Sequence, residues 1–396
     1  MLVLTTAFGE CFLCHKSMHP ITKPSLIGNS QRPSGLLSTV LRLGAVMCFL
    51  YLFLLGIGGM GEAFKLMGKD TGKAFLETAS GPFVSLMIGI LATTLVQSSS
   101  TTTSLVIGMV GGNVLGFDQA VFMIMGANLG TTVTNTLVSL GHIAHSNEYK
   151  RAFAAATVHD FFNILTLAVL FPLEVYTKVV STMATWCANE IGGAGFEKFS
   201  GPVKASTKPV IQFATSVESG LAFSPTVLLV VSILFMFLGL IFMVKNLKIL
   251  MMTKLENLFD RILFKTPGRS LILGIFLTFL VQSSSITTSI AVPLVGAGVI
   301  TIRQVFPYTL GANIGTTMTG VLATAAVSNP AAALPVAFFH IIFNCMGVGL
   351  FWFIRDIPIA IAEKFAELAM RNRLIPLVYI VVVFYILPFL AILIAS

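Results

Sequence analysis

Charge is what this 396-residue sequence has least of. Only 10% of its residues are Asp, Glu, Lys or Arg, where a soluble globular chain carries about 25%, and its mean hydropathy is +0.92. So few charges cannot cover a water-facing surface, which excludes an ordinary soluble domain and turns most of the outer face toward lipid. Cysteine is sparse too. The five residues are Cys11, Cys14, Cys48, Cys187 and Cys345. Their number is odd, and Cys48 and Cys345 lie inside apolar runs, so no disulfide framework is expected. Cys11, Cys14 and His15 have the C-x-x-C-H spacing of c-type haem attachment, but that chemistry occurs outside the cytoplasm and this basic tail should stay inside, so a chance match is expected and no cofactor follows. Residues 1–35 lack an unbroken apolar core and carry Lys16, Lys23 and Arg32, which argues against a cleaved signal peptide. The net charge of +8 is scattered among loops, as is ordinary for a membrane chain, and excludes nucleic acid as a partner. There is no G-x-S-x-G elbow and no base beside the serine runs, so a serine hydrolase, and with it an enzyme, is not expected.

What is present in quantity is long apolar runs. Leu36–Gly59, Phe153–Leu173, Thr226–Val244, Ala331–Ile354 and Leu374–Ala395 are each of the order of the 20 residues that cross a bilayer. The chain is also duplicated. Val96-Gln97-Ser98-Ser99-Ser100 returns as Val281-Gln282-Ser283-Ser284-Ser285, an offset of 185 (282 − 97). Gly126-Ala127-Asn128-Leu129-Gly130-Thr131-Thr132 returns as Gly311-Ala312-Asn313-Ile314-Gly315-Thr316-Thr317 at the same offset of 185, as does Gly89 at Gly274. His159 and Asn163 return as His340 and Asn344 at an offset of 181. The shortfall fits the polar loop Gly141–Arg151, whose counterpart near Ser328–Pro330 is shorter.

Each half reads alike: a full span, an amphipathic stretch (Glu62–Thr78; Lys245–Lys265), a broken apolar segment centred on Q-S-S-S, another centred on G-A-N-x-G-T-T, and a closing span. Each arm of a Q-S-S-S segment is too short to cross alone. It reads as a re-entrant hairpin of two half-helices with the polar motif at its tip, tolerable only where protein or water surrounds the break. With three crossings per half, the second half is inverted relative to the first. The basic residues of the tail and of Lys245–Arg269 should both be cytoplasmic, which independently gives the two first spans opposite directions. The expected fold is an all-α polytopic membrane protein of two inverted-topology repeats. Each carries a re-entrant hairpin and a broken transmembrane helix, and a C-terminal span follows. Residues 1–35 form a mobile cytoplasmic tail, 36–173 repeat 1, 174–224 an extracellular connection, 225–354 repeat 2, 355–373 a cytoplasmic amphipathic linker and 374–396 the last span.

Inverted repeats whose broken helices meet near the midplane are a transporter pattern. The tips would bring Gln97, Ser98, Ser99, Ser100 and Gln282, Ser283, Ser284, Ser285 together. Their hydroxyls and amides, and the free amides of the half-helices that follow, suit an anion; Thr101, Thr102, Thr103 and Thr287, Thr288 extend that lining. Asn128, Thr131, Thr132, Asn313, Thr316 and Thr317 offer oxygens at unwound, glycine-flanked positions and are the cation-site candidates, joined by Thr288. Small polar residues also serve helix packing, but two motifs duplicated in register favour a site. Arg303 reads as an interfacial anchor. Asp160, inside a span, is either a cation ligand or a hydrogen-bond partner, and its repeat counterpart is Ile341. The pairs His159–Asn163 and His340–Asn344 share a helix face and suit interhelical bonding.

At these motifs the chain resembles the type II sodium-dependent phosphate cotransporters. The resemblance extends through Tyr149–Asn163 and Pro307–Thr317 and covers about residues 36–395. It implies sodium-coupled import of inorganic phosphate by alternating access across the cell membrane. Phosphate would be held at the paired Q-S-S-S tips, with sodium as co-transported ion and no cofactor. The bilayer is the chain's environment, its N-terminus is cytoplasmic, and a homodimer is compatible with it. Alternatives left open are another oxyanion, proton coupling and, less favoured, an anion channel. Relative to animal members the connection Glu174–Ser224 is short, with one cysteine and no N-x-[ST] acceptor, and the chain is expected to stop after Ala395, where they continue through one more span.

Overall fold

A computed structural model describes residues 36–67, 81–192, 194–215, 224–259 and 266–395. The tail with Cys11, Cys14 and His15, the end of the first amphipathic stretch and residues 260–265 of the second lie outside the described residues.

Among the described residues helices are the only regular structure. In chain order they are α1 (Leu36–Met67), α2 (Pro82–Val96), α3 (Ser99–Gly111), α4 (Phe117–Gly130), α5 (Val133–Ser139), α6 (Ser146–Thr177), α7 (Val179–Gly192), α8 (Ala194–Thr215), α9 (Pro225–Phe259), α10 (Pro267–Val281), α11 (Ser284–Gly296), α12 (Ile302–Thr316), α13 (Met318–Ala326), α14 (Pro330–Phe353) and α15 (Asp356–Arg371), followed by a final segment, Ile375–Ala395, with a π-turn at Val382–Ile386. Six helices among the described residues are long and apolar enough to span a bilayer: Leu37–Met67, Phe117–His142, Ser146–Thr177, Pro225–Leu250, Pro330–Phe353 and Ile375–Ala395. The first and fourth continue past the expected span ends, because nothing breaks the helix between each span and the start of its amphipathic stretch.

The duplication is visible element by element. The helices α2 and α10 have 15 residues each, and α3 and α11 have 13 each. The pairs α2–α4 and α10–α12 cross at the same glycines. A Cβ on Gly89 would collide with the carbonyl oxygen of Met123, and one on Gly126 with that of Leu86; Gly274 meets Tyr308 and Gly311 meets Leu271 in the same way. Glycine is thus required by close backbone approach, as for small residues between membrane helices. The helices α1 and α9 cross through Gly56 against the backbone of Met236 and Gly239 against that of Phe53.

One continuous apolar core, including Phe53, Met60, Ile107, Ile124, Met236 and Phe339, joins the two halves. Leu41 and Met47 on α1, Leu234 and Ile241 on α9, and Leu377 and Leu393 in the final segment are exposed. Continuous exposed apolar faces of this kind suit lipid, not water. The amphipathic α15 buries Pro358, Ile359, Ala362, Ala366 and Ala369. Lys150 to Glu367 at 2.9 Å ties it to α6, and its Asp356 pairs with Arg303. Arg303 is therefore exposed and paired at the surface.

Candidate functional site

Both Q-S-S-S motifs fold into the same two-residue break. Gln97 ends α2 in the left-handed region (φ 58°) and Gln282 ends α10 likewise (φ 57°). Ser98 and Ser283 are extended, with φ −152° and −150°, and each starts the next helix as its N-cap. Their hydroxyl oxygens accept from the amides of Thr101 at 3.2 Å and Ile286 at 3.4 Å, which is ordinary N-capping. One free amide per half-helix is therefore already taken. Those at Ser99, Ser100, Ser284 and Ser285 belong to the first turns, which have no acceptor within their own helices. Thr101 donates to Ser98 Oγ at 2.9 Å. Ser99, Ser100, Thr101, Ser284 and Ser285 are buried, while Ser98 and Ser283 are half-buried.

The glutamines are held alike. Gln97 Nε2 donates to the carbonyl of Thr94, and Gln282 Nε2 to that of Phe279. Gln97 Oε1 accepts from Thr134 Oγ1 at 2.9 Å, and Gln282 Oε1 from Thr319 Oγ1 at 2.8 Å. Thr134 and Thr319 stand at the duplication's offset of 185 and were not among the residues read from the sequence. Their signal was present, since both occupy the second threonine of T-x-T just past G-A-N-x-G-T.

The tips touch. Ser100 Oγ donates to the carbonyl of Gln282 at 2.9 Å and lies 3.3 Å from the hydroxyls of Thr316 and Thr319. Ser100, Gln282, Thr316 and Thr319 thus form one cluster contributed by both halves. Thr288 donates to the carbonyl of Ser284 at 2.7 Å and to Asn135 Oδ1 at 3.0 Å.

The G-A-N-x-G-T-T positions differ from expectation in one respect. They are not unwound. Thr131, Thr132 and Thr317 keep right-handed helical dihedrals. The chain tightens there into three-residue bonds, Thr132 to Leu129 at 3.2 Å and Thr317 to Ile314 at 3.1 Å. The reason is local: each threonine hydroxyl bonds the carbonyl of the preceding turn, so the backbone stays helical through these positions instead of opening. Thr131 bonds Ala127 at 2.9 Å, Thr132 bonds Leu129 at 2.9 Å and Thr317 bonds Ile314 at 2.7 Å. These three hydroxyls face their own helices, and of this group only Thr316 joins the tip cluster.

Asn128 and Asn313 are buried and engaged across the halves. Asn313 Oδ1 lies 2.7 Å from His159 Nε2, and Asn128 Oδ1 lies 3.2 Å from His340 Nε2. Each half's closing helix therefore holds the other half's asparagine, the interhelical role expected of the two histidines. Asp160 is fully buried and accepts from Thr136 at 3.2 Å. Among the described residues no cluster of three or more His, Cys, Asp or Glu could hold a metal ion. From Pro82 to Ser139 the sequence has no lysine or arginine, and from Ser270 to Ala326 only Arg303.

The family model described as "Na+/Pi-cotransporter" matches residues 52–185 and 234–370, two segments that coincide with the duplicated halves. Sodium-dependent phosphate transport protein 2A of Ovis aries is 32% identical over 447 residues, covering 92% of this chain and 69% of that protein. The 2A protein of Rattus norvegicus is 31% identical over 468 residues, covering 96% and 72%, and the 2B protein of Pongo abelii 30% over 443 residues, covering 88% and 64%. The chain thus spans a little under or over two thirds of the length of these relatives. No solved structure matches.

Proposed function

This chain belongs to the Na+/Pi-cotransporter family, and from that premise we propose that it imports inorganic phosphate together with sodium across the cell membrane by alternating access. The two halves are inverted repeats whose Q-S-S-S breaks are re-entrant tips near the midplane, with the N-terminus cytoplasmic. The observation that carries this reading is the contact of the tips, Ser100 Oγ on the Gln282 carbonyl at 2.9 Å, with both glutamines locked by repeat-related threonines.

Phosphate would be held by the hydroxyls of Ser99, Ser100, Ser284 and Ser285, by the glutamine amides and by the first-turn N–H groups of α3 and α11. Helix N-termini attract anions through those donors and the helix dipole. What this site lacks is a cationic side chain. In a low-dielectric interior an uncompensated anion is very costly, so its charge has to be balanced by a cation that enters with it. Sodium at the oxygens of Asn128, Asn313, Thr316 and neighbouring threonines would supply that balance. Each ion then raises the affinity for the other by the same factor, which makes coupling a consequence of the missing lysine or arginine.

The test is uptake of labelled phosphate into proteoliposomes. Uptake should require a sodium gradient and resist competition by sulfate. Flux that persists without the gradient would mean a channel, and flux that follows a proton gradient instead would mean another coupling ion. Gln97→Ala and Gln282→Ala should each abolish uptake while membrane insertion stays at wild-type levels; normal transport by both variants would sink the site assignment.

A further inference from the structure

A connected set of buried side chains links the second serine tip to the first half, and it is present on one side of the duplication only. On α11, Thr288 and Ser289 each lie 3.0 Å from Oδ1 of Asn135 on α5. Asn135 Nδ2 is 3.3 Å from His159 Nδ1, and His159 Nε2 is 2.7 Å from Asn313 Oδ1. Asn313 Nδ2 donates to Asn163 Oδ1 at 2.8 Å, and Asn163 Nδ2 donates to the backbone carbonyl of Asn128 at 3.2 Å. Apart from half-buried Ser289, every member is buried.

The last bond sets the sense of all the others. A backbone carbonyl only accepts, so Asn163 must present Nδ2 to it and keep Oδ1 for Asn313 Nδ2. Asn313 then offers Oδ1 to His159, which must donate from Nε2 and accept at Nδ1. Asn135 donates to that nitrogen and turns Oδ1 toward the two hydroxyls. Only the neutral Nε2–H tautomer satisfies both histidine contacts, and both amides beside it are held in one orientation.

The other half has the parts but not the chain. The counterpart of Asn135 at the offset of 185 is Gly320. His340 reaches Asn128 Oδ1, but its Nδ1 is buried without a hydrogen-bond partner. Asn344 turns back to the carbonyl of His340 at 2.9 Å. The directional chain is complete on one side of the duplication only, between a proposed anion tip and a proposed cation position.

We propose that His159 is a positioning residue for transport: through Asn135 and Asn313 it ties the serine-bearing helix α11 to the asparagine that faces sodium. A displacement of α11 by phosphate at that tip would thereby be passed on to the position of a sodium oxygen whose orientation is already fixed. This rests on the transport reading above, in which Asn313 is a sodium position. Loss of one buried bond in such a network should shift affinity about tenfold.

The experiment uses the full chain in proteoliposomes and in detergent. It measures the sodium concentration for half-maximal phosphate uptake, the maximal rate and the sodium-induced rise in melting temperature. His159→Ala should raise half-activating sodium about tenfold and remove most of the sodium-induced thermal shift. His159→Gln, which keeps an N–H near the Nε2 position but no acceptor at Nδ1, should recover part of both, and His159→Asn, which does not reach Asn313, should recover neither. Asn135→Ala added to His159→Ala should change nothing further. Wild-type sodium activation in a well-folded His159→Ala, or equal activation in the Gln and Asn variants, or independent effects of His159 and Asn135, overturns the proposal. The Gln and Asn pair decides the matter even where the alanine variant does not fold. A wild-type chain that neither takes up phosphate with sodium nor gains thermal stability from it overturns the transport reading itself, whatever the variants do.

Discussion

At the scale of single residues, the centre of the candidate site consists of two glutamines in a backbone conformation that side-chain-bearing residues seldom adopt. Gln97 and Gln282 have φ of 58° and 57°, a conformation that costs about 1–2 kcal/mol per residue outside glycine. Each compensates by closing its amide onto its own helix end and receiving a threonine hydroxyl. Removing that hydroxyl should loosen the amide without unfolding the helix. Thr134→Val, which keeps side-chain volume, should raise half-saturating phosphate by about threefold to tenfold, as for loss of one hydrogen bond, and Thr319→Val, which also loses its contact with Ser100, by at least as much. Phosphate titration of uptake checks this, and a variant indistinguishable from wild type would show that the glutamine is not held by its threonine. The serines and glutamines are legible in the sequence because they recur in uninterrupted runs. Thr134 and Thr319 recur at the same offset but singly, so they are visible only after the register is set. Asn135 has no recurrence at all, its partner being Gly320, and only the packing of α5 against α6 and α11 brings it to His159.

At the scale of elements, the arms around Q-S-S-S and the break between them are readable from apolar length and the polar motif, whereas the left-handed glutamine and the N-capping serine that make the break are seen only in the fold. The breaks at G-A-N-x-G-T-T are not readable in the same way. Glycine and asparagine suggest unwinding, but the threonine hydroxyls bond back onto the turn before, and the backbone keeps helical dihedrals. What glycine supplies there is close approach. Gly89, Gly126, Gly274 and Gly311 let α2 lie on α4 and α10 on α12 so tightly that each hairpin arm and its neighbour should move as one body. Gly274→Ala and Gly89→Ala should therefore destabilise the protein by about 3 kcal/mol or more, the upper range of overpacking. Gly44→Ala, where a Cβ meets nothing within 4 Å, should change stability little. Thermal melting of the three variants in detergent separates these expectations, and equal melting temperatures would mean that the crossings are loose.

At the scale of the whole molecule, the duplication determines more than the list of site residues. An even number of crossings per half would place both halves the same way up, and the two tips would then approach from one face. An odd number, as proposed above, would invert one half, so that the tips approach from opposite faces and meet inside; the contact of Ser100 with Gln282 and the hold of each closing helix on the other half's asparagine fit that arrangement. The length of α6 supports a full crossing: 32 residues at 1.5 Å each extend about 48 Å, more than the hydrocarbon core of a bilayer. The basic residues near its start, Lys150 and Arg151, then belong inside. The equivalent start of α14, at Ser328–Pro330, belongs outside if the repeat is inverted. Single cysteines test this directly in a chain whose own cysteines are replaced by serine or alanine. Cysteine at Asn147, exposed in the first turn of α6, should react with a membrane-impermeant maleimide only from the cytoplasmic side. Cysteine at Ser328, exposed before α14, should react only from the other. Labelling of both from one side would put the halves in parallel, and the tips could then no longer enclose an anion between opposite faces of the membrane.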